Sequence, residues 1–280
     1  MKTIHYKNSS IISILLIAFS FLFVSCEEVV NVNLDTAPPK LVIEGSINWE
    51  KGTLGNIQKI KLSTTTSYYS NVIPVVSGAI VTVTNSSNTL FNFIENPGTG
   101  DYICTNFIPV FDEEYTLTIV YNGETYTGKE ILKSVATITT IQQETIFLDK
   151  EYTQLKAKYN DPVNAENYYM YRYTYPNTLL PEYLVDEDRF YNGNVGFSLI
   201  LNEELVPNDQ VEIVHYGISK RYFNYMIQLL SISGNNTNGG PFSTPPATVR
   251  GNMINTTNPD NFPFGYFRLS ETDTRNYTVQ

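Results

Sequence analysis

"YTLTIVYNGETYTGKEIL" occupies residues 115–132, and its pattern decides the fold class. Apolar and polar residues alternate from Tyr115 to Tyr121 and again after Glu124, the two-residue period of a strand with one buried face. Between the two runs stands Asn122-Gly123, a dipeptide suited to the positive φ angles of a two-residue type I′ turn. A β-hairpin is therefore predicted.

The same period recurs toward the N-terminus in "KLVIEGSI" (40–47), "IQKIKLS" (57–63), "AIVTVTN" (79–85), "TLFNFI" (89–94) and "DYICTNF" (101–107). Turn-forming runs separate them, notably Asn85-Ser86-Ser87-Asn88 and Asn96-Pro97-Gly98-Thr99-Gly100. Seven short strands at this spacing predict an immunoglobulin-like or transthyretin-like sandwich over residues 40–135. Past residue 135 the loops lengthen. Further strands are expected at 136–148, 154–161, 167–175, 195–201 and 210–216, with a returning strand at 263–271. The segment "SKRYFNYMIQLLSIS" (219–233) has a helical period: Tyr222, Met226, Leu229 and Leu230 share one face. Ser219 is positioned as its N-cap and Gly234 as its stop. Residues 234–261 read as a long loop. This second β-rich domain is expected over 136–280. The fold class is mostly β, a sandwich followed by a β-rich region with one amphipathic helix.

The N-terminus carries a different signal. Lys2 and Lys7 precede an apolar run from Ile11 to Val24, which ends in Ser25-Cys26-Glu27-Glu28. Fourteen helical residues would span only about 21 Å, short of a bilayer core of roughly 30 Å. Residues 1–25 therefore read as a cleaved signal peptide. Ser25-Cys26 resembles a bacterial lipobox, which implies Cys26 as a lipidated N-terminus and 26–39 as the lipidated cysteine and its tether. Glu27 and Glu28 resemble the surface-export signal of Bacteroidota-type lipoproteins, which implies an outer-membrane address facing the cell exterior. Removing the leader takes two bases and no acid, leaving 16 bases against 28 acids. So acidic a chain lacks the basic face that nucleic acid requires.

Chemistry is sparse. The mature chain has one histidine, His215, with no nucleophile elbow to serve. Cys104 has no disulfide partner once Cys26 carries lipid, and reads as a core thiol. Asp186, Asp188 and Asn192 offer oxygen ligands of the kind calcium takes, but not at EF-hand spacing, so they form a weak metal candidate. Asp186, Asp188, Glu203 and Glu204 could supply paired carboxylates for hydrolysis, though such pairs are common in acidic proteins. In "NYYMYRYTY" (167–175), alternation puts Tyr169, Tyr171, Tyr173 and Tyr175 on one face. That face is either a recognition surface for glycan or peptide, or a sheet face covered by the helix. No enzymatic activity and no cofactor are expected beyond the covalent lipid.

Taken together, "SCEE", "LVIEGSI", "YFNYMIQL", "PPATVRGNMIN" and "FGYFRLSE" resemble an uncharacterised family of Bacteroidota-type surface lipoproteins often encoded beside TonB-dependent outer-membrane transporters. The resemblance implies a transporter barrel as partner and carries no catalytic residues. The expected function is that of a non-enzymatic accessory or binding lipoprotein. The alternative is a glycan-binding or adhesive module using the tyrosine face.

Overall fold

The computed structural model describes residues 38–67, 70–163, 165–233 and 249–280, and Pro39–Gln280 form one compact unit. The predicted leader, the tether up to residue 37, and residues 234–248 of the expected loop lie outside the described residues. The fold is mostly β, with an immunoglobulin-like sandwich followed by a β-rich region carrying a helix.

The first sandwich contains β1 (Leu41–Glu50), β2 (Gln58–Thr64), β3 (Ile80–Asn85), β4 (Leu90–Asn96), β5 (Asp101–Cys104), β6 (Glu114–Tyr121) and β7 (Glu124–Ile131). Their order runs β1-β2-β5-β4-β3-β6-β7. β4 turns the corner between the two layers: Leu90–Phe93 pair with β3, and Ile94–Asn96 pair with β5. The predicted hairpin joins β6 to β7, with Asn122 at φ 50° and Gly123 at φ 78°. Ile43, Ile47, Ile60, Leu62, Phe91, Tyr115 and Leu117 point inward from both layers and form its core. The period of two placed them there.

The second region contains β8 (Ile138–Phe147), β9 (Glu151–Asn160), β10 (Tyr168–Thr174), β11 (Glu182–Glu187), β12 (Val195–Asn202), β13 (Gln210–Ile218), α1 (Lys220–Ile232), β14 (Ile254–Asn255) and β15 (Phe264–Thr278). β12, β9 and β8 make a separate three-stranded sheet, whereas β11, β10, β13 and β15 extend the large sheet beyond β1. β10 and β13 are covered on both faces. Tyr171, Tyr173, Val211 and Ile213 pack against Leu155, Ala157 and Tyr159 of β9, and on the other face Met170, Val214 and Ile218 pack against Tyr222, Phe223 and Met226 of α1. The helix starts as expected, with Ser219 Oγ accepting from Tyr222 N at 3.1 Å. β11 and β14 were not predicted.

Residue 135, the expected boundary, falls inside the one compact unit that spans Pro39–Gln280. β15 is 15 residues long, a reach of about 50 Å. Its first part pairs in parallel with β1, and its last part pairs antiparallel with β13. The C-terminal strand thereby completes the N-terminal sandwich. Two buried acids bind the connector to it: Glu271 accepts from Val135 N at 2.8 Å and from Lys51 Nζ at 2.8 Å, and Asp273 accepts from Ile138 N at 2.7 Å. Asn252 closes the opposite edge like a stray peptide unit, donating to Phe267 O at 2.7 Å and accepting from Phe267 N at 2.8 Å. Both acids and the amide satisfy backbone groups that burial would otherwise strand.

Candidate functional site

Cys26, Glu27 and Glu28 lie outside the described residues. Cys104 is buried as expected, its Sγ is 3.2 Å from Asn106 Oδ1, and burial raises its thiol pKa.

The tyrosine face is not a binding surface, which corrects the expectation for Tyr169, Tyr171, Tyr173 and Tyr175. Alternation does put them on one face, but that face is the inner wall of the second core, at most 6% exposed. The three-stranded sheet covers it, while α1 lies on the opposite face. Each hydroxyl is used internally. Tyr169 donates to Asp161 Oδ1 at 2.6 Å, the Tyr171 and Tyr159 hydroxyls are hydrogen-bonded at 2.6 Å, Tyr173 meets Ser198 Oγ, and Tyr175 donates to Glu182 at 2.7 Å. The chain continues from Tyr159 to Tyr191 at 3.0 Å and from Tyr191 to Asp186 at 2.7 Å. Burial raises the pKa of every one of these phenols.

His215 sits inside this cage. Its ring lies 4.5 Å from that of Tyr159, 4.8 Å from Tyr169 and 4.7 Å from Tyr171, centroid to centroid. It is fully buried, and neither ring nitrogen has a hydrogen-bond partner among the described residues. Burial pushes its pKa down to about 3, with the Ala136 backbone opposing only in part. A neutral imidazole enclosed by phenol rings, with no hydroxyl or thiol in hydrogen-bond reach, is not arranged as a general base.

The acidic segment is spent on local structure. Asp186 accepts from Tyr191 Oη and from Glu187 N, Asp188 accepts from Asn167 N at 2.8 Å, and Asn192 Nδ2 donates to Ala165 O at 2.6 Å. Asp188 is buried beneath a short 3₁₀ turn (Asp188–Phe190). Among the described residues no three His, Cys, Asp or Glu side chains converge as a metal site. This departs from the weak calcium candidate: the oxygens face different partners. Adding calcium and then chelator should therefore leave the melting temperature unchanged, and a calcium-dependent rise would reinstate the site. Glu203 pairs with Lys150, and Glu204 is exposed, so neither joins Asp186 in a carboxylate pair.

A different feature has the shape of a binding site. Beside α1, on the outward face of the large sheet, an open groove of about 540 Å³ is lined by Glu44, Ser46, Asn48, Gln58, Lys61 and Arg172, among others. It gathers three strands: Glu44, Ser46 and Asn48 alternate outward on β1, Gln58 and Lys61 stand on β2, and Arg172 projects from β10. Gln58 braces its floor, donating to Asn48 O at 2.9 Å while accepting from Asn48 N at 3.1 Å. Arg172 donates to Glu212 at 2.5 Å through Nη2, and its buried Nε has no partner among the described residues. Lys59 is also on the wall but pairs with Asp101 as Arg172 does with Glu212, and Glu44 lines the groove, so it offers a mixture of donors and acceptors suited to a polar group. Sequence reading missed it because its residues come from positions 44 to 172. The signal was a run of polar residues at outward positions on a strand, which equally describes any solvated face.

A family model described as a domain of unknown function (DUF4249) matches residues 27–276. The chain belongs to the DUF4249 family. The match spans both β regions, in keeping with one structural unit. No curated protein matches the chain. Among solved structures, a two-domain fibronectin type-III segment of chicken tenascin is similar at 14% identity, covering 64% of this chain and 90% of that one, with a TM-score of 0.22. A pullulanase complexed with maltotriose, from Anoxybacillus sp. LM18-11, matches at 9% identity over 62% of this chain and 24% of its own, with a TM-score of 0.21. At such scores neither likeness bears on the DUF4249 site, and the fold rests on the chain's own strand pairing.

Proposed function

We propose that the chain is a surface-anchored outer-membrane lipoprotein acting without catalysis, as an accessory or binding protein beside a TonB-dependent transporter. The observation that carries this reading is the leader: an apolar run too short to span, ending on Cys26-Glu27-Glu28. The compact unit begins at Pro39, so residues 27–38 give a tether of about 40 Å when extended. A lipid at Cys26 would then hold a rigid β scaffold close to the membrane, within reach of a barrel in the same bilayer. The groove beside α1 takes over the ligand role first assigned to the tyrosines, and its mixed donors and acceptors suit a polar ligand such as a glycan.

The anchor is tested by growing cells with a clickable fatty acid. The native chain should be labelled and sediment with membranes, and protease added to whole cells should degrade it. Cys26→Ala should abolish labelling and shift the protein to the soluble fraction. An unlabelled native chain would remove the foundation of the proposal. Mild crosslinking followed by purification tests the partner, with a transporter barrel expected in near-stoichiometric amount.

A further inference from the structure

One end of the second sandwich is apolar in a way that its folding does not require. Strand pairing brings three loops together there. β8 ends opposite the start of β9, the end of β12 pairs beside that start, and β10 ends beside the start of β13. The β8–β9 tip and the β12–β13 loop are joined by the Lys150–Glu203 ion pair. Tyr175 and Leu205 share the core beneath. On this end Phe147, Leu148, Leu179, Leu180, Leu201 and Val206 are all exposed, Leu179 fully and Leu180 by 80%. Scattered single apolar residues need no explanation, but six large ones on converging loops mark a contact surface.

The surroundings indicate what the surface meets. Asp149, Glu151, Glu203 and Glu204 are exposed around these side chains, with Lys150 the base among them. Such a rim repels anionic headgroups. We propose that this end docks a partner protein whose own surface is apolar at its centre and rimmed by lysine and arginine. Apolar anchors within a charged rim are the usual anatomy of a specific interface. The inference deepens the accessory reading and rests on it only in requiring a protein partner.

The test is to place a photocrosslinking amino acid at Leu180 of the full-length chain in its native cells, with Ile80 on the first sandwich, also well exposed, as the control. One discrete protein adduct is expected at 180 and none at 80. Its contact peptide should hold apolar residues flanked by Lys or Arg. Glu151→Lys with Glu204→Lys should cut the yield about tenfold, the response to losing complementary charge. The same product at both positions, a yield indifferent to charge reversal, a crosslinked dimer of the chain, or a lipid adduct would each overturn the proposal. So would sedimentation of the chain lacking its lipid with vesicles of phosphatidylethanolamine and phosphatidylglycerol, if Leu180→Glu abolished it. Purified Cys26→Ala protein added to cells should give the same adduct, so a failure of the anchor and a failure of the docking surface are told apart.

Discussion

Replacing Gly217 with alanine should leave little folded protein at temperatures the native chain withstands. Gly217 lies on β13, where the connector between the two halves crosses the sheet. A Cβ at this position would collide with the carbonyl of Ser134, and Lys133 O lies 3.1 Å away. Both obstacles are backbone and cannot swing aside. The connector is also held by the Glu271 and Asp273 carboxylates, so relieving the clash means breaking their hydrogen bonds to Val135 N and Ile138 N. A cost of roughly 3–5 kcal/mol is expected for overpacking against a fixed backbone with loss of buried hydrogen bonds. For a unit of this size that corresponds to a fall in melting temperature of about 10 °C. Thermal unfolding followed by circular dichroism measures it. A shift of a degree or two would mean that the connector is loosely held and the halves are more independent than described here.

Acidification should unfold the protein steeply, and His215 should be the reason. Its folded pKa is pushed to about 3, below its ordinary 6.5, because the tyrosine cage removes water from the ring. The unfolded chain takes up this proton first. The contribution of His215 is fully present above pH 6.5 and is lost as the pH falls from there toward 3. The slope approaches about 1.4 kcal/mol per pH unit. Glu130, Asp186 and Asp273 act in the opposite sense. Burial raises their pKa values, so the stability they contribute is present at low pH and lost as pH rises through their folded values. They soften the acid slope, which is why the contribution of His215 is read against a variant that lacks it. Urea midpoints from pH 7 to pH 4 for the native chain and His215→Phe separate the two effects, because the variant keeps an aromatic ring in the cage but cannot take up the proton. The native protein should lose several kcal/mol more than the variant over that range. Parallel curves for the two would show that the imidazole is not the group that titrates.

These two sites also show how far the chain could be read before its fold was known. The hairpin through Asn122-Gly123, the seven strands of the first sandwich and the helix capped by Ser219 are local matters. Side-chain period, turn conformation and capping are settled within a few residues, and the sequence carries them openly. The proposed lipid-anchor signal at Cys26 is likewise contiguous. β15 was only half legible for the opposite reason. Its second half, "TDTRNYT", is polar, yet Ser270, Glu271, Thr272 and Asp273 are buried. They are buried because β1 and β13 flank the strand and the connector crosses it, none of which is written in its own composition.

The tyrosine face marks the same limit. Alternation correctly assigned Tyr169, Tyr171, Tyr173 and Tyr175 to one side of β10. Whether that side meets solvent, the helix or another sheet depends on where β9 comes to lie. The groove and the apolar end depend in the same way on strands far apart in the chain. The sequence by itself therefore determined most of the elements and which side chains share a face. Only the tertiary structure decided which faces are covered, because burial is a property of the partner that arrives and not of the strand that waits for it.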